Sequence, residues 1–273
     1  MSTRVIIKPQ KGWLSINFRE LFEFRELIWF LAHRDIMAQY KQAFFGVAWA
    51  VIKPVFSVLA YTLVFGKVAG LSSSGIPYPL FTLCGVAAWS FFTAAINQST
   101  TSLIFNTNLI TKIYFPRLIL PISSLGRGAV DFFVSFVLLI VLMAIYGFVP
   151  QSTLVFLPLF ILLELNMIFG VGFFFSAITV KYRDLQAAIP VIAQWWFYLT
   201  PVAWGLENIT GRLKLFFYIN PMTWIIEGFR WSILGVGEMD WRKVLFAGLF
   251  SFLVLFAGLY YFRKMENEFA DII

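Results

Sequence analysis

Residues 34–54, RDIMAQYKQAFFGVAWAVIKP, run from a charged, helix-compatible segment straight into an apolar one. After Lys41 no charge occurs until Lys53, so this junction reads as the point where the chain enters a membrane. Upstream, the residues up to Lys41 are rich in Arg and Lys; downstream, five more long apolar stretches follow.

Composition supports that reading. The chain is 60% hydrophobic and 13% charged, whereas a typical soluble domain is about 45–50% apolar and about 25% charged. A water-soluble core cannot absorb the surplus. A spanning helix needs about 20 mostly apolar residues, and the runs suffice for about six. The expected fold is an all-α integral membrane protein with six transmembrane helices and no separate soluble domain. The formal charge is +7, and the basic residues sit in short segments between apolar runs. That is the positive-inside pattern, so no nucleic-acid partner is expected. Cys84 lies alone in an apolar run, which excludes an internal disulfide, and with the single His33 it offers no metal set. The first thirty residues are repeatedly charged and do not read as a cleavable signal peptide.

Residues 1–43 read as an amino-terminal segment and 44–273 as the membrane domain. Asn17 is placed as an N-cap with Glu20 at the third helical position, and Ile16 can staple onto Leu21. The following helix offers Leu21, Phe24, Leu27, Ile28 and Leu31 on one side, with Trp29 at headgroup level; it either lies on the membrane or docks on protein. The first span covers 47–68. At about 1.5 Å per residue, Lys53 and Lys67 stand about 21 Å apart and can snorkel to opposite interfaces. Pro54 is expected to bend it. The second span starts near Leu80 and turns polar from Asn97 to Ser102, either packed on neighbouring helices or lining a wet path.

Residues 106–117, NTNLITKIYFPR, are too short and polar to span and should be cytoplasmic. The third span, 118–146, is broken by Pro121. Arg127 and Asp131 lie one helical turn apart within it, as a structural ion pair or a substrate contact. The fourth span, 154–180, carries Glu164 and Asn166 near its middle. A carboxylate there costs at least about 2.5 kcal/mol unless protonated, paired or wet, so Glu164 is either an interhelical hydrogen-bonding group or a site. Gly172 and Ser176 form a small-xxx-small step. The fifth span is placed at 185–204 and the last at 244–262. Between them, 205–243 reads as two short re-entrant or interfacial helices on either side of Asn220-Pro221. Six crossings with both termini cytoplasmic put most cations inside.

No GxxxxGK[ST] phosphate loop, HExxH or GxSxG is present, so catalysis by this chain alone is not expected. The remaining classes are transporter, channel, membrane-embedded transferase and scaffold. Trp and Tyr cluster around the fifth span and the segment after it. They are either interfacial belts or ring faces suited to sugars.

Four blocks then resemble the permease of ABC-2-type polysaccharide exporters, the family that exports lipopolysaccharide O-antigen, capsular polysaccharide and teichoic acid. They are RDIMAQYKQAFFGVAWAVIKP, KIYFPRLILP (112–121), YRDLQAAIP with TPV (182–190, 200–202) and NPMTWIIEGFRW (220–231). Lys53 stands where the family often has Gln. The resemblance implies a homodimer in the cell inner membrane joined to two copies of a separate ATP-binding subunit, where ATP and magnesium would act. It assigns 106–117, with Asn108, Lys112, Tyr114 and Arg117, as the segment that receives motion from that subunit. It also implies an interface helix near the substrate entrance, and two outer helices, within 205–243, that narrow the exit. An undecaprenyl-linked polysaccharide would pass through the dimer, with O-antigen as the first expectation. Capsular polysaccharide, teichoic acid, or an ATP-independent flippase or scaffold are the alternatives. Arg34, Lys41 and Lys53 are candidate entrance cations for the lipid-linked pyrophosphate. Tyr198, Trp204 and Trp224 are candidates for the glycan path, with membrane lipids around the whole.

Overall fold

The computed structural model describes residues 18–41, 45–235, 237–266 and 268–269. The Asn17 cap, the Ile16 staple and the segment boundary at 43 lie outside the described residues.

The described residues are helical throughout, with no strand. Two short amino-terminal helices, α1 (Phe18–Glu23) and α2 (Arg25–Tyr40), precede α3 (Ala48–Tyr61). Pro54 sits buried inside α3 without ending it, and the departure from α geometry comes later, as a π-helical stretch at Thr62–Val68. Next are α4 (Tyr78–Phe105) and the short α5 (Thr107–Lys112). The expected break at Pro121 falls later: Pro121 sits in the first turn of α6 (Ile119–Ser123), where a missing N–H is tolerated, and the interruption comes at Ser124 before α7 (Leu125–Ile145). The chain continues as α8 (Leu157–Lys181), α9 (Leu185–Tyr198), α10 (Leu213–Ile219), α11 (Pro221–Leu234) and α12 (Trp241–Glu266).

Five helical stretches are long and apolar enough to cross a membrane: Ala48–Val68, Tyr78–Phe105, Ile119–Ile145, Ser152–Lys181 and Trp241–Glu266. The sixth expected crossing differs. Helix α9 has 14 residues, about 21 Å at 1.5 Å per residue, short of a hydrocarbon core of about 30 Å. It stops where Thr200-Pro201 follows, and the irregular backbone of 200–203 is buried against the bundle. Non-helical backbone at such depth is tolerated when protein covers it.

Helix α4 is the most enclosed of the five stretches and Ala48–Val68 the least. Around α4 pack α7, α8, α11, α3 and α9. Close approach comes from glycines: a Cβ at Gly258 of α12 would lie 1.9 Å from the Gly170 carbonyl oxygen of α8, and one at Gly172 would lie 2.8 Å from Ser99 Oγ of α4. Within the polar end of α4, Thr100 donates to Ile96 O (2.8 Å) and Ser102 to Ser99 O (2.7 Å), so these buried hydroxyls are satisfied by their own helix. That end is packed. Two apolar cores result: one is centred on α4, α8 and α11, and the other gathers Leu31, Phe115, Leu118, Phe262 and Phe269 at the end of the bundle that holds α2.

Candidate functional site

The bundle offers two candidate faces, one built on α2 and the 106–117 segment, the other on the loops and α10–α11.

On the first face, α2 docks through its expected side. Leu31 is fully buried, and Leu21, Phe24, Leu27 and Ile28 pack on the second core. Yet Trp29 is 72% and Phe30 64% exposed, so the outward side is apolar too. The helix is held by protein on one side and leaves Trp29 and Phe30 exposed on the other. Polar groups fix it at three points. Arg34 Nη2 donates to Asn106 Oδ1 (3.0 Å) while Arg34 Nε bonds Asp35 (2.8 Å), Arg127 Nε donates to Gln39 Oε1 (2.7 Å), and the Tyr40 hydroxyl donates to Asp131. This corrects one expectation. The Arg127–Asp131 ion pair does not form, because α2 supplies a partner to each group. Arg34 keeps an exposed guanidinium, which it also shares between Asp35 and Asn106. Lys41 and Lys53 are exposed.

The 106–117 segment is split between exposed and anchored residues. Asn108 and Lys112 of α5 are exposed, as are Ile113 and Tyr114 beyond it. Burial still raises the Tyr114 phenol above its usual range, with Glu20 and Glu266 adding to the rise. Arg117 turns inward: its guanidinium donates to the backbone oxygen of Glu266 and lies 5.8 Å from the Phe269 ring. Contrary to its assignment with the other three, Arg117 anchors the segment to the end of α12.

On the opposite face, the sequence placed α10 and α11 correctly as two short helices. Asn220 shows why they start and stop there. Its Oδ1 caps α11 by accepting from Met222 N (3.1 Å), the Pro221 that follows suits the first helical position, and Gly235 closes the helix with φ +65°. The same amide accepts from Trp196 Nε1 (3.2 Å) and donates to Leu199 O (2.9 Å) and Thr200 Oγ1 (2.8 Å), which ties α9 to α11.

The residue that sequence reasoning missed is Arg230. It is fully buried and is the largest such side chain among the described residues. It donates to the carbonyl oxygens of Phe81 (3.4 Å), Trp204 (3.4 Å) and Val202 and to Glu227 (2.8 Å), and it lies 3.8 Å from the centroid of the Phe81 ring. Only a glycine fits opposite it, since a Cβ at Gly85 would stand 2.4 Å from Val202 O and 2.7 Å from Arg230 Nη2. One guanidinium thus fastens α4, the buried turn after α9, and α11.

Beside it opens a cleft of about 180 Å³, lined by Tyr218, Trp224, Trp231, Glu227, Glu238 and Lys243. Lys243 Nζ stands 4.8 Å from the Tyr218 centroid and 4.7 Å from that of Trp224. It is also 3.3 Å from Asp240. Asp240 sits below the ordinary carboxylate range: desolvation pushes it up, but Lys243 and the Arg242 backbone N–H outweigh that. Of the three aromatics expected along a glycan path, only Trp224 reaches this cleft. Trp204 is packed on Phe65 and Phe197, and Tyr198 lies exposed on α9.

Glu164 is fully buried, and neither carboxylate oxygen has a hydrogen-bond partner; Asn166 Nδ2 is likewise unpaired. The expected interhelical bonds are absent there.

The profile of the family described as ABC-2 type transporter matches residues 26–234. An O-antigen export system permease protein, RfbA of Myxococcus xanthus, is 28% identical over 258 residues, 93% of this chain and 98% of that protein. RfbA of Klebsiella pneumoniae is 25% identical over 262 residues, 95% and 98% of the two chains. The polysialic acid transport protein KpsM of Escherichia coli is 21% identical over 239 residues, 86% and 91%.

Proposed function

This chain belongs to the ABC-2 type transporter family, and on that footing we propose that it is the membrane subunit of an ATP-driven exporter of a lipid-linked polysaccharide, O-antigen foremost. Two copies of the chain would form the path, and two copies of a separate ATP-binding subunit would drive it. End-to-end similarity to proteins named for O-antigen export supports the cargo class. The observation that carries the rest is the face built on α2 and 106–117. Asn108, Lys112 and Tyr114 are presented outward, while Arg117 and Asn106 bind the segment rigidly to α12 and α2. A push on the exposed side would then reach the helix that meets the lipid. Arg34, through Asn106, serves as a link in that chain, and the exposed Arg34, Lys41 and Lys53 are the cations that would meet a pyrophosphate. Lys112, Lys181, Arg183, Arg263 and Lys264 share this end of the bundle, which supports a cytoplasmic placement in the inner membrane. The poorly enclosed flank of Ala48–Val68 is the surface a second copy would cover.

The test is purification of the tagged chain from its native membrane in mild detergent. A stoichiometric subunit with a phosphate loop and vanadate-sensitive hydrolysis is expected. Recovery of the chain without an ATPase, even after crosslinking, would replace the exporter with a flippase or scaffold.

A further inference from the structure

The polar end of α4 has two sides. On one, Ser99, Thr100 and Ser102 are buried, and the helix meets its neighbours around them: Phe91 packs on Phe132 of α7 (ring centroids 5.1 Å apart), Phe92 on Trp196 (5.2 Å), Trp89 on Phe197 (5.9 Å), and Ser99 on Gly172 of α8. The other side carries Ser90, Thr93, Asn97 and Thr101. At 3.6 residues per turn these four fall within a sector of about 80°, with Ala94 and Gln98 at its edge and every packed residue just named outside it. Ser90 is exposed, the other five are half-buried, and none of the six is charged.

The groups on this stripe are left open by the fold. Thr93 Oγ1 donates to Trp89 O (3.0 Å) and Thr101 Oγ1 to Gln98 O (3.2 Å), so each hydroxyl spends its hydrogen on its own helix and keeps lone pairs free. Asn97 Oδ1 and Gln98 Oε1 are covered yet accept no hydrogen bond, and among the described residues Asn97 Nδ2, Gln98 Nε2 and Ser90 Oγ have no partner either. From Ser90 to Thr101 the stripe is about 16 Å long at 1.5 Å per residue, half of a hydrocarbon core of about 30 Å. It lies within Tyr78–Phe105, one of the stretches fit to span. Amides and hydroxyls set against acyl chains would be costly, because hydrocarbon returns no hydrogen bond. Water and a hydroxylated ligand do return one. Beyond Thr101 the helix runs on to Asn106, which accepts from Arg34, so the stripe starts at the end of the bundle where the entrance cations stand.

We infer that Ser90, Thr93, Asn97 and Thr101, edged by Gln98, form one wall of a water-filled path along which the hydroxyls of the outgoing glycan exchange hydrogen bonds. The inference rests on the glycan-export reading above and assigns the inner half of that path to α4. Neutral groups hold a moving chain loosely: water replaces each contact as the chain advances, whereas an ion pair would arrest it.

The test uses the full chain with whatever subunits accompany it from its native membrane, in nanodiscs. Cysteine is placed singly at Ser90, Thr93, Asn97 or Thr101 and, as controls, at Val137 or Ile140 on the exposed apolar side of α7. The native Cys84 is buried and gives no background. A charged, membrane-impermeant methanethiosulfonate reacts with the thiolate, which forms in water and not in hydrocarbon, so the four stripe variants should label at least about tenfold faster than Val137→Cys and Ile140→Cys. Asn97→Leu should lower glycan export at least about threefold, the effect of one lost hydrogen bond, with the unfolding midpoint unchanged because Asn97 bonds nothing inside the chain. Asn97→Gln should keep most of the export. Stripe labelling no faster than the controls, a spontaneous disulfide between two copies of Asn97→Cys, or export undiminished in Asn97→Leu would each overturn the path. ATP-driven export with slow stripe labelling would sink the stripe alone. Fast labelling in a chain that recruits no ATPase would sink the exporter and leave the wet stripe standing.

Discussion

Replacing Arg230 by Met keeps the length and apolar stem of the side chain and removes only its charge and five donors. The structure sets the cost. Glu227 loses its 2.8 Å partner, the carbonyl oxygens of Phe81, Val202 and Trp204 lose a shared donor, and the cation over the Phe81 ring disappears. Removing one partner of a buried pair costs about 3–5 kcal/mol. Arg230 is wholly buried, although Glu227 keeps some solvent contact, so the lower half of that range is expected. A loss of 3 kcal/mol shifts the unfolding equilibrium by more than about a hundredfold. Arg230→Lys should lose nearly as much, because a single ammonium cannot fork to three separated carbonyls. Adding Glu227→Gln to Arg230→Met should restore at least about 1 kcal/mol, since the stranded carboxylate is then neutral. Denaturant titration of the purified protein in detergent, followed by tryptophan fluorescence, reads all four states. A loss below about 1 kcal/mol in Arg230→Met, or a double variant no more stable than the single, would refute the clamp.

Other expectations follow from single contacts. Gly258→Leu drives a side chain into Gly170 O and should cost at least about 1–3 kcal/mol, read as a lowered unfolding midpoint; an unchanged midpoint would show that α8 and α12 can separate freely. Glu164→Leu removes two unpaired buried oxygens and should leave stability unchanged or raise it; a clear loss of export with stability intact would instead make Glu164 a transport residue. Tyr114→Ala should reduce the yield of co-purified ATPase without moving the unfolding midpoint, whereas Arg117→Ala should lower the midpoint itself, by about 1–3 kcal/mol. Because Asp240 has a lowered value in the fold, its pairing with Lys243 is fully present above the unfolded carboxylate value of about 3.9 and fades only as pH falls through the lower folded one. Any cleft fluorescence transition between about pH 8 and 5 should thus persist in Asp240→Asn, and one that vanishes in that variant would contradict the assignment.

The features legible in the sequence are those written locally. The long apolar helices and the Asn220-Pro221 start of α11 depend on neighbours along one helix and stand where they were placed, whereas the interruption expected at Pro121 lies at Ser124. The early stop of α9 was less visible, since 185–204 is apolar enough to span and only the burial of 200–203 by other helices lets the chain leave helix geometry there. Arg230 was unreadable for a physical reason. Three of its four acceptors are backbone oxygens at 81, 202 and 204, and a carbonyl has no side-chain signature. Arg127 and Asp131 misled in the opposite way: helical spacing proposed an ion pair, but spacing within one helix cannot reveal that α2 offers Gln39 and Tyr40. Of the aromatics singled out, Trp224 lines the outer cleft on the short helix that Asn220 caps. Tyr198 and Trp204 could not, because an apolar helix does not announce which side its neighbours cover.

The joint at Asn220 has a chemical corollary. Conversion of an asparagine to aspartate in an ageing protein begins when the backbone nitrogen of the next residue attacks the side-chain amide. At this joint the change would be damaging, because a carboxylate cannot donate to Leu199 O and Thr200 Oγ1. The next residue is Pro221, whose ring nitrogen carries no hydrogen to lose. The same proline that opens α11 therefore keeps the amide that joins it to α9 from ageing by that route, and the joint should remain intact over the working life of the protein.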